Sequence, residues 1–205
     1  MRDWDACYRT GETPWDKGNP APPLFEVMER LGPQLWGNGP VLVPGCGLGH
    51  DVRALAALEI PVLGLDISET AVEKARSLPT VGAESYEAGD FLNPAWCANR
   101  HFSAIWEHTC FCAINRDQRQ QYAASAAAVL GAGVVFSGVF YLTPNSPGEE
   151  DDGPPFNASI DELDGLFSPW FERIEAWVPQ RTHPGREGRE WVAIFRKLPH
   201  ARVAG

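Results

Sequence analysis

The sequence predicts an α/β protein with a mostly parallel sheet and helices on both faces, and three observations support this. From residue 22 onward, short apolar and β-branched runs alternate with segments of helical periodicity. A glycine loop stands between the first of these strands and the helix after it. The last two predicted strands have no helix between them, and their short connection favours an antiparallel pair.

The elements follow in a regular order. The first helix begins at Pro22, shows apolar residues at the three-and-four spacing of an amphipathic helix, and ends before Gly32. The predicted strands are residues 41–43, 62–65, 85–88, 102–106, 134–142, 171–178 and 190–197. The later helices are residues 52–58, 69–78, 118–130 and 160–167. Ser68 is predicted to be the N-cap of the helix at 69–78. This alternation is typical of parallel βαβ units.

Size and composition limit the function. A chain of 205 residues with 44% hydrophobic residues is expected to form one domain, residues 1–205. The net charge of −10 opposes binding to nucleic acid and to anionic lipid. The charged N-terminus and the lack of a long apolar run predict a cytoplasmic protein without a membrane segment. Five cysteines without CxxC spacing fit a reducing compartment and predict no metal site. The oligomeric state stays open, and a monomer is compatible with the sequence.

Two segments lack periodicity. Residues 1–19 hold Trp4, Tyr8 and Trp15 among Gly, Pro and charged residues, and they are predicted to form an irregular, aromatic-rich arm. Residues 143–157 are predicted to form a solvated, mobile loop, with a lid as the alternative. This loop contains four consecutive acidic residues: Glu149, Glu150, Asp151 and Asp152.

The glycine loop and the next strand end predict a nucleoside site. Gly45, Gly47 and Gly49 follow a buried strand and precede a helix, where a missing Cβ lets the backbone turn and approach a ligand. Asp66 ends the next strand, where its carboxylate can accept both ribose hydroxyls. The alternative is structural, because tight turns use Gly and strand ends use Asp without any ligand.

The spacing of the loop favours S-adenosylmethionine over a dinucleotide. A dinucleotide loop has its third glycine three positions after the second, but residue 50 is His and the pattern is GxGxG. Asp90 and Phe91 follow the third strand and offer a carboxylate for the adenine amine and an aromatic face beside the ring. A strand-ending Asp with a core Phe is the alternative for this pair.

Six stretches of the sequence resemble the thiopurine, thiol and halide methyltransferases, a family of class I S-adenosylmethionine-dependent enzymes. They are GETPWDKG (11–18), VLVPGCG (41–47), GLDIS (64–68), GDF (89–91), TCFCAI (109–114) and GPPF (153–156). Together they span nearly the whole chain in order. The combination of the TPWD, FCAI and GPPF blocks is most similar to the thiol and halide branch.

The resemblance implies a Rossmann-like seven-stranded sheet whose last pair is antiparallel, an arm over the cofactor, and methyl transfer to a small soft nucleophile: a thiol, a halide or a thiopurine-like acceptor. It implies that S-adenosyl-L-methionine contacts Trp4, Tyr8, Trp15, Gly45, Gly47, Asp66, Ile67, Asp90, Phe91, Glu107 and His108. Aromatic faces attract a sulfonium cation, so the arm suits this cofactor. The alternative is that the arm's aromatics only form an anchoring hydrophobic cluster.

Two departures from the family pattern fall where the acceptor approaches. The strand before the FCAI run ends in Glu107 and His108 where many plant-type relatives have Asp-Tyr, and Cys110 replaces a bulky aromatic residue. Methyl transfer needs no metal, and an anionic acceptor needs no base, but a neutral thiol would benefit from one. His108 is the candidate catalytic base, and its alternative is a neutral imidazole hydrogen-bonded to cofactor or backbone. Glu107 either attracts the cofactor's ammonium or ends a strand in solvent.

The remaining candidates have simpler interpretations. Cys110 and Cys112 are predicted to be buried small residues. His183, Arg186 and Arg189 form a basic cluster that either recognises an anionic acceptor or lies at a solvated hairpin tip. The alternatives to a soft-nucleophile methyltransferase are an enzyme for another small O or N acceptor, a nicotinamide oxidoreductase, and a non-catalytic S-adenosylmethionine-binding module.

Overall fold

The computed structural model describes residues 2–145 and 151–199. Their helices are α1 (Trp4–Thr10), α2 (Pro22–Leu31), α3 (His50–Ala56), α4 (Glu69–Ser77), α5 (Pro94–Cys97), α6 (Arg119–Val129) and α7 (Ile160–Phe167). Their strands are β1 (Val41–Pro44), β2 (Val62–Asp66), β3 (Glu84–Ala88), β4 (Phe102–His108), β5 (Leu130–Tyr141), β6 (Phe171–Trp177) and β7 (Glu190–Lys197). Short 3₁₀ turns at Pro33–Trp36 and Arg116–Gln118 complete the regular structure. Among these helices none has the length and apolar character that a membrane crossing requires.

The strands form one seven-stranded sheet in the order β3-β2-β1-β4-β5-β7-β6. The first five strands are parallel, and β7 pairs antiparallel with both β5 and β6. This confirms the predicted fold class and the antiparallel closing pair. Because β1 lies between β2 and β4, the connections leave it in opposite directions and open a crevice at the carboxyl ends of the strands.

Both faces of the sheet are covered by helices, which explains why its central strands are apolar throughout. Val41 and Val43 of β1 pack with α2, α3 and α4, whereas Leu42 packs with α6 and α7 on the other face. The α7 side has a dense aromatic core in which Phe136, Phe167 and Phe195 are almost completely buried. Rigid packing on both faces fixes the strand ends that form the crevice.

The predicted helices and strands are confirmed with small shifts at their ends, and Ser68 caps α4 by accepting a hydrogen bond from the Ala71 N–H at 3.0 Å. Two helices went unpredicted. α5 has four residues, and α1 lies in the segment that the sequence predicts to be irregular. The prediction of an irregular segment is wrong for residues 4–10. Asp3 caps this short helix, and contacts with distant parts of the chain stabilise it.

The acidic loop is partly described. Glu149 and Glu150 lie outside the described residues, so the prediction of a mobile loop is not addressed there. Asp151 is not a solvated charge: its Oδ1 accepts hydrogen bonds from Asn145 Nδ2 at 2.9 Å and from the Asn157 N–H at 3.0 Å, and it forms an ion pair with Arg116. Asp151 therefore joins the two ends of this segment.

A buried carboxylate on α2 ties this helix to the end of β6 and gives a test of the fold. Glu26 accepts hydrogen bonds from Trp177 Nε1 at 2.6 Å and from the Gln180 N–H at 2.9 Å. Glu26→Ala leaves these donors unpaired, so we expect it to lower the free energy of unfolding by about 1 to 3 kcal/mol in urea titrations.

Glu29→Ala is the matched control for this prediction, since Glu29 lies on the same helix and its ion pair with Arg181 is exposed. We expect a much smaller loss for it because exposed ion pairs contribute little. Equal losses for the two variants would show that the buried carboxylate does not hold α2 in place.

Candidate active site

The main cavity of the described residues lies at the carboxyl ends of the parallel strands and has a volume of about 410 Å³. Gly45 follows β1, Asp66 ends β2, Asp90 follows β3, Thr109 follows β4 and Tyr141 ends β5, and all five line the cavity. Its volume lies in the range of about 300 to 1,000 Å³ typical of small-molecule sites. The crevice expected from the strand order is therefore large enough for a nucleoside and a small second substrate.

The glycine loop needs glycine because other parts of the chain occupy the space of a side chain. Gly45 and Gly47 have φ values of 62° and 54°, in the left-handed region that favours glycine. A Cβ on Gly45 would lie 2.8 Å from Cys110 Sγ, and a Cβ on Gly47 would lie 2.6 Å from the Tyr8 hydroxyl. The loop is thus packed between the segment after β4 and the N-terminal helix, and Gly45 lines the cavity.

Asp66 is held in place by the backbone on both sides of the cleft. It is 6% exposed, its Oδ2 accepts a hydrogen bond from the Gly47 N–H at 2.8 Å, and its Oδ1 accepts one from the Ser68 N–H at 2.9 Å. Burial raises the pKa of Asp66 above its ordinary value, although these hydrogen bonds oppose the shift. Carboxylate oxygens have further lone pairs, so both oxygens can still accept hydroxyl groups.

Three other predicted cofactor residues also line the cavity: Ile67, Asp90 and Phe91. Ile67 is 51% exposed and presents an apolar side chain to the cavity. Phe91 is buried and packs edge-on against Tyr122 with ring centroids 5.1 Å apart. Asp90 is exposed and caps its own turn by accepting a hydrogen bond from the Leu92 N–H. An apolar slot with a carboxylate at its rim suits a purine ring.

The aromatic residues of the N-terminal segment form a cluster over the cavity. The rings of Trp4 and Trp15 are 5.2 Å apart, and the Trp15 Nε1 donates a hydrogen bond to the Tyr8 hydroxyl at 3.1 Å. The Arg2 guanidinium lies over both indoles, 4.8 Å from the Trp15 ring centroid. These rings therefore pack together and also offer faces that attract a cation.

α1 is fixed to α4 by a carboxylate that acts as a second cap. Asp5 Oδ1 accepts hydrogen bonds from Ser68 Oγ at 2.8 Å and from the Thr70 N–H at 2.9 Å. Farther along, Asp16 Oδ1 is 3.0 Å from Nε2 of His50, the first residue of α3. Polar contacts at these two points hold the segment across the cavity.

Glu107 is placed away from the cavity, which corrects both sequence interpretations of this residue. It is completely buried, its Oε1 accepts a hydrogen bond from the Phe111 N–H at 2.8 Å, and its other oxygen pairs with the Tyr122 hydroxyl. Burial raises its pKa to about 7. Because β4 continues to His108, Glu107 points to the α6 face, neither into solvent nor into the main cavity.

His108 points to the opposite face of β4 and is bound at both ring nitrogens. Its Nδ1 lies 3.1 Å from Asp51 Oδ2 and its Nε2 lies 3.3 Å from Arg186 Nη1. His108 lines a neighbouring cavity of about 70 Å³ beside the glycine loop and does not line the main cavity. In this arrangement neither nitrogen is available to an acceptor, so its predicted role as a base has no support from the geometry.

Asp51 organises this side of the site. Its carboxylate is 8% exposed and also accepts hydrogen bonds from the Ala21 N–H at 2.6 Å and from Trp106 Nε1 at 2.8 Å. Burial alone would raise its pKa, but His108 and these hydrogen bonds hold the pKa below its ordinary value. Sequence reasoning missed Asp51, because an acidic residue in the first turn of a helix is common.

Arg186 belongs to the site and not to a solvated hairpin tip. Its guanidinium is 8% exposed, donates to Glu190 Oε1 at 3.0 Å and lies over the Tyr141 ring at 4.6 Å. His183 is also buried, and burial lowers its pKa to about 4, so it is neutral near pH 7. Arg189 instead donates to the carbonyls of Thr143 and Pro144. Of the three basic residues, only Arg186 lines the main cavity.

Cys110 and Cys112 both line the cavity. Desolvation raises the pKa of both thiols, to about 12 for Cys112, so they are neutral near pH 7. Cys112 is buried, as the sequence predicts, whereas Cys110 is only partly buried.

Known proteins are similar to this chain over most of its length. The model of the Thiopurine S-methyltransferase (TPMT) family matches residues 1–191. Thiocyanate methyltransferase 1 of Brassica oleracea is 31% identical over 201 residues, which cover 95% of this chain and 84% of the relative. Probable thiol methyltransferase 2 of Arabidopsis thaliana is 32% identical over 199 residues with the same coverage.

Solved structures show the same fold. The structure from work on the conversion of a disulfide bond into a thioacetal group during echinomycin biosynthesis has a TM-score of 0.76 at 23% identity, covering 97% of this chain and 91% of that one. The CcbJ methyltransferase from Streptomyces caelestis has a TM-score of 0.71 at 18% identity, covering 95% and 96%. Family membership also rules against the nicotinamide oxidoreductase. The chain belongs to the thiopurine S-methyltransferase family and is an S-adenosylmethionine-dependent methyltransferase.

Proposed function

We propose that this enzyme transfers the methyl group of S-adenosylmethionine to a small soft nucleophile that binds as an anion, such as a thiolate, a halide or thiocyanate. The observation that carries the proposal is the buried Arg186 guanidinium on the cavity wall. Within the described residues its side chain bonds only through Nη1, to His108 and Glu190. Three N–H groups, on Nη2 and Nε, therefore remain for an acceptor.

The residues around the cavity fit S-adenosylmethionine. In the proposed pose, Asp66 accepts the ribose hydroxyls, Ile67 and Phe91 enclose the adenine, and Asp90 accepts its amine. The aromatic cluster of Trp4, Tyr8 and Trp15 faces the sulfonium and excludes water. When bound, the cofactor supplies a methyl group activated by a positively charged sulfur.

The residues of the protein then have two tasks, to position the nucleophile and to exclude water. An in-line displacement requires the nucleophile to be held behind the methyl group and water to be kept out. Arg186 can hold an anion by charge and by directed hydrogen bonds, and the N-terminal segment closes the cavity from above. No proton has to be removed from an anionic acceptor, which agrees with the absence of a free base at His108.

Names of relatives support the same acceptor class, since thiocyanate is an anion and thiols and thiopurines ionise to soft anions. We further propose that the enzyme acts in the cytoplasm without nucleic acid or membrane partners. The net charge of −10 and five free cysteines support this.

An acceptor screen tests the proposal directly. We expect turnover with iodide, thiocyanate, hydrosulfide or aryl thiols, measured as S-adenosylhomocysteine release, and we also include thiopurines and oxyanions of selenium or tellurium. Arg186→Met should raise the KM for an anion at least about 10-fold, because a hydrogen bond to a charged group is lost.

Arg181→Ala is the control for the arginine, because Arg181 lies in the same loop but is exposed. Good turnover of only hydroxyl or amine acceptors would overturn the proposed acceptor class. An unchanged KM in Arg186→Met would remove Arg186 from acceptor binding.

The cofactor pose predicts a large effect at Asp66. Asp66→Ala should weaken S-adenosylmethionine and S-adenosylhomocysteine together by about 1.5 to 3 kcal/mol, because both ribose hydroxyls lose a charged acceptor. Calorimetry measures the affinities, with Asp161→Ala on α7 as an exposed control. Unchanged affinity, in a variant whose thermal unfolding shows it folded, would refute the ribose assignment.

The N-terminal segment is expected to open without cofactor and to close with it. S-adenosylhomocysteine should slow tryptic cleavage at Arg9 and Lys17, because the segment then gains contacts with the ligand. Asp5→Ala should speed cleavage because α1 loses two of its hydrogen bonds to the start of α4, whereas Glu12→Ala, at an exposed position, should not. Equal cleavage rates with and without ligand would contradict closure.

A further inference from the structure

Four side chains from four parts of the fold form a continuous chain beside the main cavity. Asp51 of α3 contacts His108 at the end of β4, His108 contacts Arg186 in the β6–β7 loop, and Arg186 contacts Glu190 at the start of β7. The successive distances are 3.1, 3.3 and 3.0 Å. These side chains are 1% to 15% exposed, so solvent screens their interactions weakly.

The two neighbours of His108 determine its tautomer. The Asp51 carboxylate can only accept, so the proton must be on Nδ1, and the guanidinium of Arg186 can only donate, so Nε2 must carry a lone pair. Both conditions are met by a single neutral form of the ring. Asp51 thus orients the His108 imidazole, and the imidazole in turn orients Arg186.

We propose that His108 is a positioning residue that holds Arg186 in its acceptor-binding orientation, with Asp51 fixing the histidine tautomer. The proposal rests on the proposed function, since it gives Arg186 its task. One hydrogen of Nη1 binds His108 and the other binds Glu190, which sets the plane of the guanidinium. The edge formed by Nη2 and Nε is then left for the anion.

Loss of the acceptor on His108 should disturb this arrangement. Without a lone pair at the position of Nε2, one Nη1 hydrogen of Arg186 loses its partner, and Glu190 alone holds the guanidinium. Acceptor binding should therefore weaken when the imidazole is replaced by a side chain that cannot accept a hydrogen bond.

Other charged and titratable groups lie around His108 without bonding to its ring. His183 stacks beside the ring with centroids 6.0 Å apart, and the low pKa caused by its burial keeps it neutral. Asp16, Lys17 and His50 line the small cavity on the same side. Glu107 lies on the same strand but points to the opposite face and pairs with Tyr122. None of these groups bonds to a ring nitrogen of His108.

The test uses iodide, because this acceptor is always an anion and needs no deprotonation. His108→Phe should raise the KM for iodide about 10-fold, with a smaller change in kcat, because Arg186 loses its orienting partner. His108→Gln keeps an oxygen that can accept a hydrogen bond from Arg186, so its KM should rise less. His101→Gln, at an exposed position, is the matched control.

Nitrogen-15 NMR of the imidazole in the S-adenosylhomocysteine complex gives a readout that does not need turnover. We expect His108 to carry its proton on Nδ1, and Arg186→Met to shift the Nε2 resonance. A proton on Nε2, an unchanged KM for iodide in a folded His108→Phe variant, or a loss confined to kcat would each overturn the proposal. If wild type turned over no thiol or halide but the NMR signature held, the acceptor class would be wrong and the positioning of Arg186 would stand.

Discussion

The buried Asp51 carboxylate joins parts of the chain that are otherwise far apart, and the geometry of the site depends on it. Asp51 belongs to α3. Its carboxylate forms hydrogen bonds with the Ala21 N–H before α2 and with the side chains of Trp106 and His108 on β4. A buried charge is stable only when its oxygens are paired, so these elements must meet in this arrangement. The direction of His108, and through it that of Arg186, is therefore part of the core packing of the fold.

The distribution of charge around the cavity differs from that of the whole chain. The protein has an excess of acidic residues, yet among the described residues Arg2, Lys17 and Arg186 line the main cavity beside two carboxylates, Asp66 and Asp90. Under the proposed function, these basic groups would attract a small anion, while a polyanion would first meet the acidic outer surface.

Much of the fold and of the cofactor half of the site can be predicted from the sequence. The strand ends at Gly45 and Asp66 could be placed because parallel strands bring their carboxyl ends to one edge, and local periodicity identifies the strands. Contacts between distant segments could not be predicted. α1 has only seven residues and is attached through Asp5 to a helix 65 residues away, so no local pattern shows it.

The acceptor half of the site was harder to predict from the sequence, for a related reason. Glu107 and His108 are adjacent, and only the exact end of β4 decides which of them faces α6 and which faces α3. The burial of Arg186 depends on Glu190 and Tyr141, which belong to two paired strands. A basic residue in a hairpin loop resembles a solvated one until that pairing is known.

The antiparallel β7 has a consequence for how such enzymes change over time. Because β7 runs against β5, its first residue, Glu190, lies beside Tyr141, and the preceding loop enters the site at the carboxyl edge of the sheet. In the proposed pose, turns after parallel strands hold the nucleoside, whereas the loop between β6 and β7 contacts the nucleophile. Insertions or exchanges in the hairpin leave the strand ladders and the nucleoside turns untouched. New acceptor preferences can therefore arise by remodelling one surface loop while the methyl donor is retained.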